Sequence, residues 1–176
     1  MSIKSIFLDR DGVINKDLNY LYKIEEFQFI DGIFDVCKYF QSLDFKIIII
    51  TNQSGIFRGY YSEKEYQKLT QWMLKQFKRN NVDVLDIFHC PHGPNSKCDC
   101  RKPKPGMFLN AKEKYDIDMK NSWVVGDKEN DIKAANDAGI KNTILVRSGH
   151  KIDKSSSNAM HFVDSIKDIN QVILKS

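Results

Sequence analysis

Hydrophobic residues gather in five short, near-continuous runs: 3–8 (IKSIFL), 46–50 (KIIII), 84–88 (VLDIF), 122–125 (SWVV) and 143–146 (TILV). Runs of this length that do not alternate with polar residues predict parallel strands covered on both faces. Between them the spacing changes to that of a helix. Residues 33–43 bring Ile33, Val36, Cys37, Phe40 and Leu43 to one face. Residues 63–79 align Tyr66, Leu69, Met73 and Phe77 behind a capping box of Ser62 and Glu65. A third helix is predicted from Pro105, a residue favoured in a first turn, to Tyr115. A fourth covers 129–138 and stops at Gly139, and a last one, 166–174, follows Ser165 as its cap. The stretch KIDKSSSNA, 151–159, reads as a surface loop. Strand and helix alternate throughout, which predicts an α/β, doubly wound parallel sheet.

In such a sheet the carboxyl ends of the strands share one edge, and ligands bind along it. The residues just beyond each run therefore matter most. The first run is followed by Asp9-Arg10-Asp11-Gly12 and the second by Thr51-Asn52-Gln53-Ser54-Gly55. The fourth is followed by Gly126-Asp127-Lys128, with Asp131 a helical turn later. A single acid at a strand end is usually a cap or a turn former. Three polar clusters at matching places point to a site. Asp9 and Asp11 repel one another unless a cation joins them, and an oxygen-rich set of carboxylates suits Mg²⁺. One carboxylate can then attack phosphorus, while the other protonates the leaving oxygen and later activates water. Thr51 offers a hydroxyl, and the turn after it backbone N–H groups, to hold phosphoryl oxygens. Lys102, directly before Pro103, is the candidate for balancing charge on the transferred group. The expected chemistry is phosphoryl transfer.

Composition narrows the setting. At 176 residues and 41% hydrophobic, the chain is expected to form one domain, 1–176, with a sizeable core. A net charge of +4 weakly favours an anionic ligand, but the lysines are scattered among 23 acids. No basic stripe interleaved with aromatics occurs, so nucleic acid is not an expected partner. The apolar run near the N-terminus is short and broken by acids, and no run approaches a membrane span. The expectation is a cytoplasmic monomer with no membrane partner.

A reducing compartment leaves four cysteines to be explained without disulfides. Cys90-Pro91-His92 and Cys98-Asp99-Cys100 form a C-x-H-x5-C-x-C set, which matches a closed, tetrahedral, structural zinc site. His89 is a competing ligand; His92 shares the short turn with Cys90 and is favoured. Free, reduced thiols are the alternative, and Cys37, on an apolar helix face, reads as core. A zinc clip would order the loop 89–101, which has little apolar content, and aim Arg101 and Lys102 at the crevice. The intervals Asp11 to Thr51 and Thr51 to Lys102 are filled by predicted elements, leaving no room for a cap domain.

DRDG, a strand-terminal threonine, a lysine ahead of a helix and GDKxxD together resemble the signature motifs of the haloacid dehalogenase (HAD) superfamily of phosphohydrolases, and the zinc loop resembles its histidinol-phosphatase-like subfamily. The resemblance implies that Asp9 is the nucleophile, Asp11 the acid/base, and Thr51 and Lys102 the holders of the phosphoryl group. It implies Mg²⁺ bound by Asp9, Asp127 and the backbone carbonyl of Asp11, with Asp131 in support. DRDGVINKD, EFQFIDG, TNQSGIFRG, CDCRKPKPGM and VGDKENDI are similar to the branch that acts on heptose bisphosphates in bacterial nucleotide-activated heptose synthesis. That likeness implies a sugar bisphosphate ringed by Asp17, Leu18, Asn19, Tyr20, Thr51, Asn52, Gln53, Ser54, Arg101, Lys102 and Lys128. An Arg-Lys pair suits a second, non-reacting phosphate. Phe57 and Asn19 depart from that branch, where a small residue and a glycine are usual, and are expected to bear on sugar or anomer preference. The rival readings are a histidinol-phosphate phosphatase and a catalytically silent anion-binding module.

Overall fold

The computed structural model describes residues 2–147 and 152–173. Its strands are β1 (Ser5–Leu8), β2 (Lys46–Asn52), β3 (Val84–Cys90), β4 (Trp123–Gly126), β5 (Asn142–Val146) and β6 (His161–Val163). They pair in parallel in the order β3-β2-β1-β4-β5-β6. The helices are α1 (Ile33–Ser42), α2 (Glu63–Arg79), α3 (Gly106–Tyr115), α4 (Glu129–Asp137) and α5 (Ile169–Ile173), with 3-10 turns at Ile24–Glu26 and Ile166–Asp168.

The period of two along each strand sends its side chains to opposite faces, and the core divides accordingly. Ile6 and Leu8 of β1 meet Ile33, Val36 and Phe40 of α1, Leu69, Met73 and Phe77 of α2, and Ile169 of α5 on one face. Phe7 turns to the other, against Met107, Phe108 and Ala111 of α3 and Ala134 and Ala135 of α4. Both faces of the sheet are therefore covered, as the unbroken apolar runs require. The fold is the expected α/β, doubly wound one, and no large cap is inserted in it among the described residues.

Several elements differ from the sequence reading. Ile3 joins only through an isolated bridge to Ile117, so β1 begins at Ser5 rather than at residue 3. The runs ending at 50 and 88 both continue by two residues, pairing Thr51 with His89 and Asn52 with Cys90. Polar residues hide this extension, because ladder hydrogen bonds do not depend on side-chain polarity. Pro105 caps α3 instead of opening it. The last helix is broken into a 3-10 turn and α5, and residue 174 of its expected span lies outside the described residues. β6, only three residues long, was not expected. The surface loop holds over 152–159, while residue 151 lies outside the description.

Between Gly12 and β2 lie a loop, one 3-10 turn and α1; between β2 and Lys102 lie α2, β3 and the cysteine loop. The carboxyl edge is thus left open. Phe40, fully buried and edge-on to Phe45 at 5.3 Å, anchors α1 to the sheet. Phe40→Ala should cost about 3–5 kcal/mol in a denaturant titration, the range for a buried phenylalanine whose cavity cannot close; a loss below about 1 kcal/mol would contradict this packing.

Candidate active site at the carboxyl edge

The order of the strands reverses between β1 and β4, and their carboxyl ends diverge there to open a crevice of about 240 Å³. Asp9 and Asp11 follow β1, Asn52 to Ser54 end or follow β2, and Lys128, Asn130 and Asp131 follow β4. Arg101 and Lys102 arrive from the cysteine loop, and Asp17, Asn19 and Tyr20 from the loop after β1.

Lys102 sits at the centre, 4% exposed. Its Nζ donates to Asp9 Oδ1 at 2.9 Å and to the Ile50 carbonyl at 2.9 Å, and pairs with Asp131 Oδ1 at 2.6 Å. Burial works against its charge, but Asp131 and Asp9 outweigh burial and raise its pKa. Asn52 brackets the backbone of Lys102, accepting from its N–H and donating to its carbonyl, both at 3.1 Å. Asp131 Oδ2 accepts from the backbone N–H groups of Asp127 (3.2 Å) and Lys128 (3.1 Å). Both oxygens of Asp131 are thereby committed.

Asp127 is different. It is 3% exposed, and neither of its carboxylate oxygens meets a donor. Asp9, Asp127 and Asp131 each place an oxygen within 4.8 Å of the others. Burial and then the charge of Asp131 push the Asp127 carboxyl up to about 6. The same two influences drive Asp9 well above the ordinary carboxylate range, with Lys102 opposing them. A buried carboxylate without donors among like charges is the environment a hard divalent cation satisfies, so these residues fit Mg²⁺. The backbone is shaped to keep Asp127 in place. Gly12 has φ +91°, and a Cβ there would fall 2.2 Å from Asp127 Oδ2.

The Asp11 side chain does not join the carboxylate cluster. It accepts from Arg10 Nε (3.3 Å) and Nη2 (3.0 Å), Asn15 Nδ2 (2.9 Å) and Gln53 Nε2 (3.1 Å). Arg10, to which the sequence reading gave no role, is 1% exposed. Gln53 also donates to Thr51 Oγ1 at 2.8 Å and accepts from Tyr61 Oη at 2.5 Å. Asn52 and Gln53 thus line the crevice while their side chains brace its other walls. Leu18 is not in the crevice. It borders a neighbouring hollow with Lys16, Ile30, Val146 and Arg147, because the loop turns over between Asp17 and Asn19. Asn19 has φ 54°, a left-handed conformation tolerated by Asn, and its N–H donates to Asp17 Oδ1 at 3.0 Å. Phe57 packs on Gly93 of the cysteine loop and does not line the crevice. Tyr61 and Asn130 do line it and were not singled out from the sequence.

At the far side, Cys90, His92, Cys98 and Cys100 place their ligand atoms within 4.8 Å of one another. His92 turns Nδ1 inward, 3.4 Å from Cys90 Sγ and 3.3 Å from Cys100 Sγ. His89 instead pairs with Glu63 at 2.7 Å and packs against Tyr66.

The HAD-hydrolase-like family profile matches residues 99–169. A D-glycero-alpha-D-manno-heptose-1,7-bisphosphate 7-phosphatase from Photorhabdus laumondii is 52% identical, over 90% of this chain and 90% of its own. The D-glycero-beta-D-manno-heptose-1,7-bisphosphate 7-phosphatase of Vibrio cholerae is 44% identical over 99% of this chain and 98% of its own. This chain belongs to the heptose-1,7-bisphosphate 7-phosphatase family. Among solved structures, the family's enzyme from B. bronchiseptica, complexed with magnesium and phosphate, superposes with a TM-score of 0.86 at 29% identity, over 99% of this chain and 100% of that one.

The buried Asp127 of this family member yields a test with a definite sign. A carboxyl whose folded pKa is raised adds stability below the window and loses it as pH climbs from 3.8 to about 6. Metal-free Asp127→Asn should therefore melt above the parent at about pH 7.5, by up to roughly 3 kcal/mol, with the gain fading at about pH 4.5. Mg²⁺ should stabilise the parent at the higher pH and leave the variant unmoved; equal Mg²⁺ stabilisation of both would contradict the assignment.

Proposed function

We propose that this chain hydrolyses the C7 phosphate of D-glycero-D-manno-heptose 1,7-bisphosphate through an aspartyl-phosphate on Asp9. In this reading the whole chain, 1–176, acts as one domain, a cytoplasmic monomer in the supply of ADP-heptose for lipopolysaccharide core synthesis. The observation that carries it is the pairing at the switch point. Asp9 lies 2.9 Å from the buried Lys102, and Asp11, two residues on, is held apart from the carboxylate cluster by its own donors.

Asp9 forms a bond to phosphorus as the bond between phosphorus and the C7 oxygen breaks, and Asp11 gives that oxygen its proton. Asp11, now a carboxylate, takes a proton from water as the water oxygen attacks phosphorus. The bond to Asp9 then breaks and inorganic phosphate leaves. Thr51 and Lys102 hold the phosphoryl oxygens, where a preorganised ammonium in a buried site acts strongly. Asp9, Asp127 and the Asp11 carbonyl would hold Mg²⁺, which supplies positive charge against the carboxylates and the phosphoryl group. Arg101 and Lys128 face the remote phosphate; Asp17, Asn19, Tyr20 and Ser54 surround the sugar. Leu18 drops out of that set. Cys90, His92, Cys98 and Cys100 would hold structural Zn²⁺, a reading supported by their ligand atoms lying within 4.8 Å of one another.

Phosphate release with Mg²⁺ should favour heptose 1,7-bisphosphate over histidinol phosphate by about tenfold or more in kcat/KM, tested with both anomers. A preference for histidinol phosphate would overturn the substrate assignment. Asp9→Asn should abolish turnover without lowering the melting temperature; retained turnover would exclude the covalent route. Cys98→Ser should lose bound zinc and melt several degrees lower, about the shift a loss of 1–2 kcal/mol produces. Unchanged zinc content and melting would remove the zinc site.

A further inference from the structure

Tyr61 is 4% exposed and lines the crevice, yet the chemistry described above gives it no part. Its ring is fixed independently of its hydroxyl, stacked on Tyr22 at 5.3 Å and pressed against Gly55, where a Cβ would fall 2.1 Å from Tyr61 Cε1. Among the described residues, its hydroxyl donates to Gln53 Oε1 alone, at 2.5 Å. Gln53 carries its amide N–H groups to two groups of the site, Asp11 Oδ2 at 3.1 Å and Thr51 Oγ1 at 2.8 Å.

The direction of this chain follows from chemistry. Gln53 Nε2 faces Asp11 Oδ2 and Thr51 Oγ1, and an amide nitrogen only donates. Gln53 Oε1 faces Tyr61 and only accepts, so the tyrosine donates. We infer that Tyr61 is a positioning residue for phosphoryl transfer, acting through the Gln53 amide to hold Asp11 and Thr51 in register with each other. The inference rests on the proposed roles of those two residues. Arg10, which donates to both Asp11 oxygens, and Asn15 also brace Asp11 but make no hydrogen bond to Thr51, so they cannot set the relation between the acid/base and the phosphoryl-holding hydroxyl. Gln53 is the one side chain hydrogen-bonded to both among the described residues. Burial keeps Tyr61 protonated, its pKa pushed up to about 12, so it remains a donor across the working pH range.

Tyr61→Phe keeps the ring and removes only the donor. The expected result is a roughly tenfold fall in kcat with KM unchanged, since the hydroxyl touches the substrate nowhere in this scheme. A substrate contact would move KM. Gln53→Leu supplies the second arm. If Tyr61 acts through Gln53, the double variant should be no slower than Gln53→Leu alone; effects that multiply would overturn the inference. So would a Tyr61→Phe kcat within twofold of the parent. Asp9→Asn, run in parallel, separates the two levels. Loss of turnover there with an unaffected Tyr61→Phe refutes the positioning role alone, whereas an active Asp9→Asn refutes the mechanism beneath it.

Discussion

A lysine ammonium buried among oxygens holds this site together. Lys102 Nζ reaches Asp9, Asp131 and the Ile50 carbonyl, and so ties the end of β1, the end of β2 and the start of α4 to the cysteine loop that delivers it. A buried cation with three oxygen partners is tolerable, whereas the same pocket of carboxylates without it would not be. Three acids at one sheet edge still outnumber one ammonium. Of the three, Asp127 is the one whose oxygens have no donor. The fold thus leaves a carboxylate without donors where a divalent cation fits.

Around this centre, residues that look like ligand binders work as scaffolding. Asn52 brackets the Lys102 backbone, and Gln53 joins Asp11, Thr51 and Tyr61. Arg10 disappears into the interior beside Asp11 and also donates to the Leu21 carbonyl at 2.9 Å. Fixing the first ring of groups with a second ring of hydrogen bonds is how an enzyme avoids reorganising during reaction. The cysteine loop serves the same end at larger scale. Gln53 N–H donates to the Cys90 carbonyl at 2.7 Å, so the turn after β2 and the loop carrying Lys102 are tied at one point.

No large cap covers the crevice, and selection falls to loops. Asn19 and Tyr20, both left-handed, turn the loop after β1 toward the mouth. There Tyr20 meets Tyr60 edge-on at 4.8 Å, and Lys128 pairs with Asp17 at 3.1 Å across the opening. Phe57 rests on Gly93 instead of entering the crevice.

Much of this was legible in the order of residues. Apolar runs at strand length and helical spacings between them dictate the doubly wound sheet, since each strand must be covered on both faces. Acids and hydroxyls just past those runs mark the edge where they meet, and the soft ligands Cys90, His92, Cys98 and Cys100 stand close enough in sequence to announce their cluster. Short or polar segments were not legible: β6 has three residues, and the last turns of β2 and β3 are held by backbone bonds that leave no side-chain pattern. The sequence determined which residues reach the crevice edge, because strand position does that. Only the tertiary structure decided their partners, because hydrogen bonds and burial depend on distances between segments far apart in the chain. Arg10, Gln53 and Tyr61 owe their place to that, and so does the unpartnered charge of Asp127.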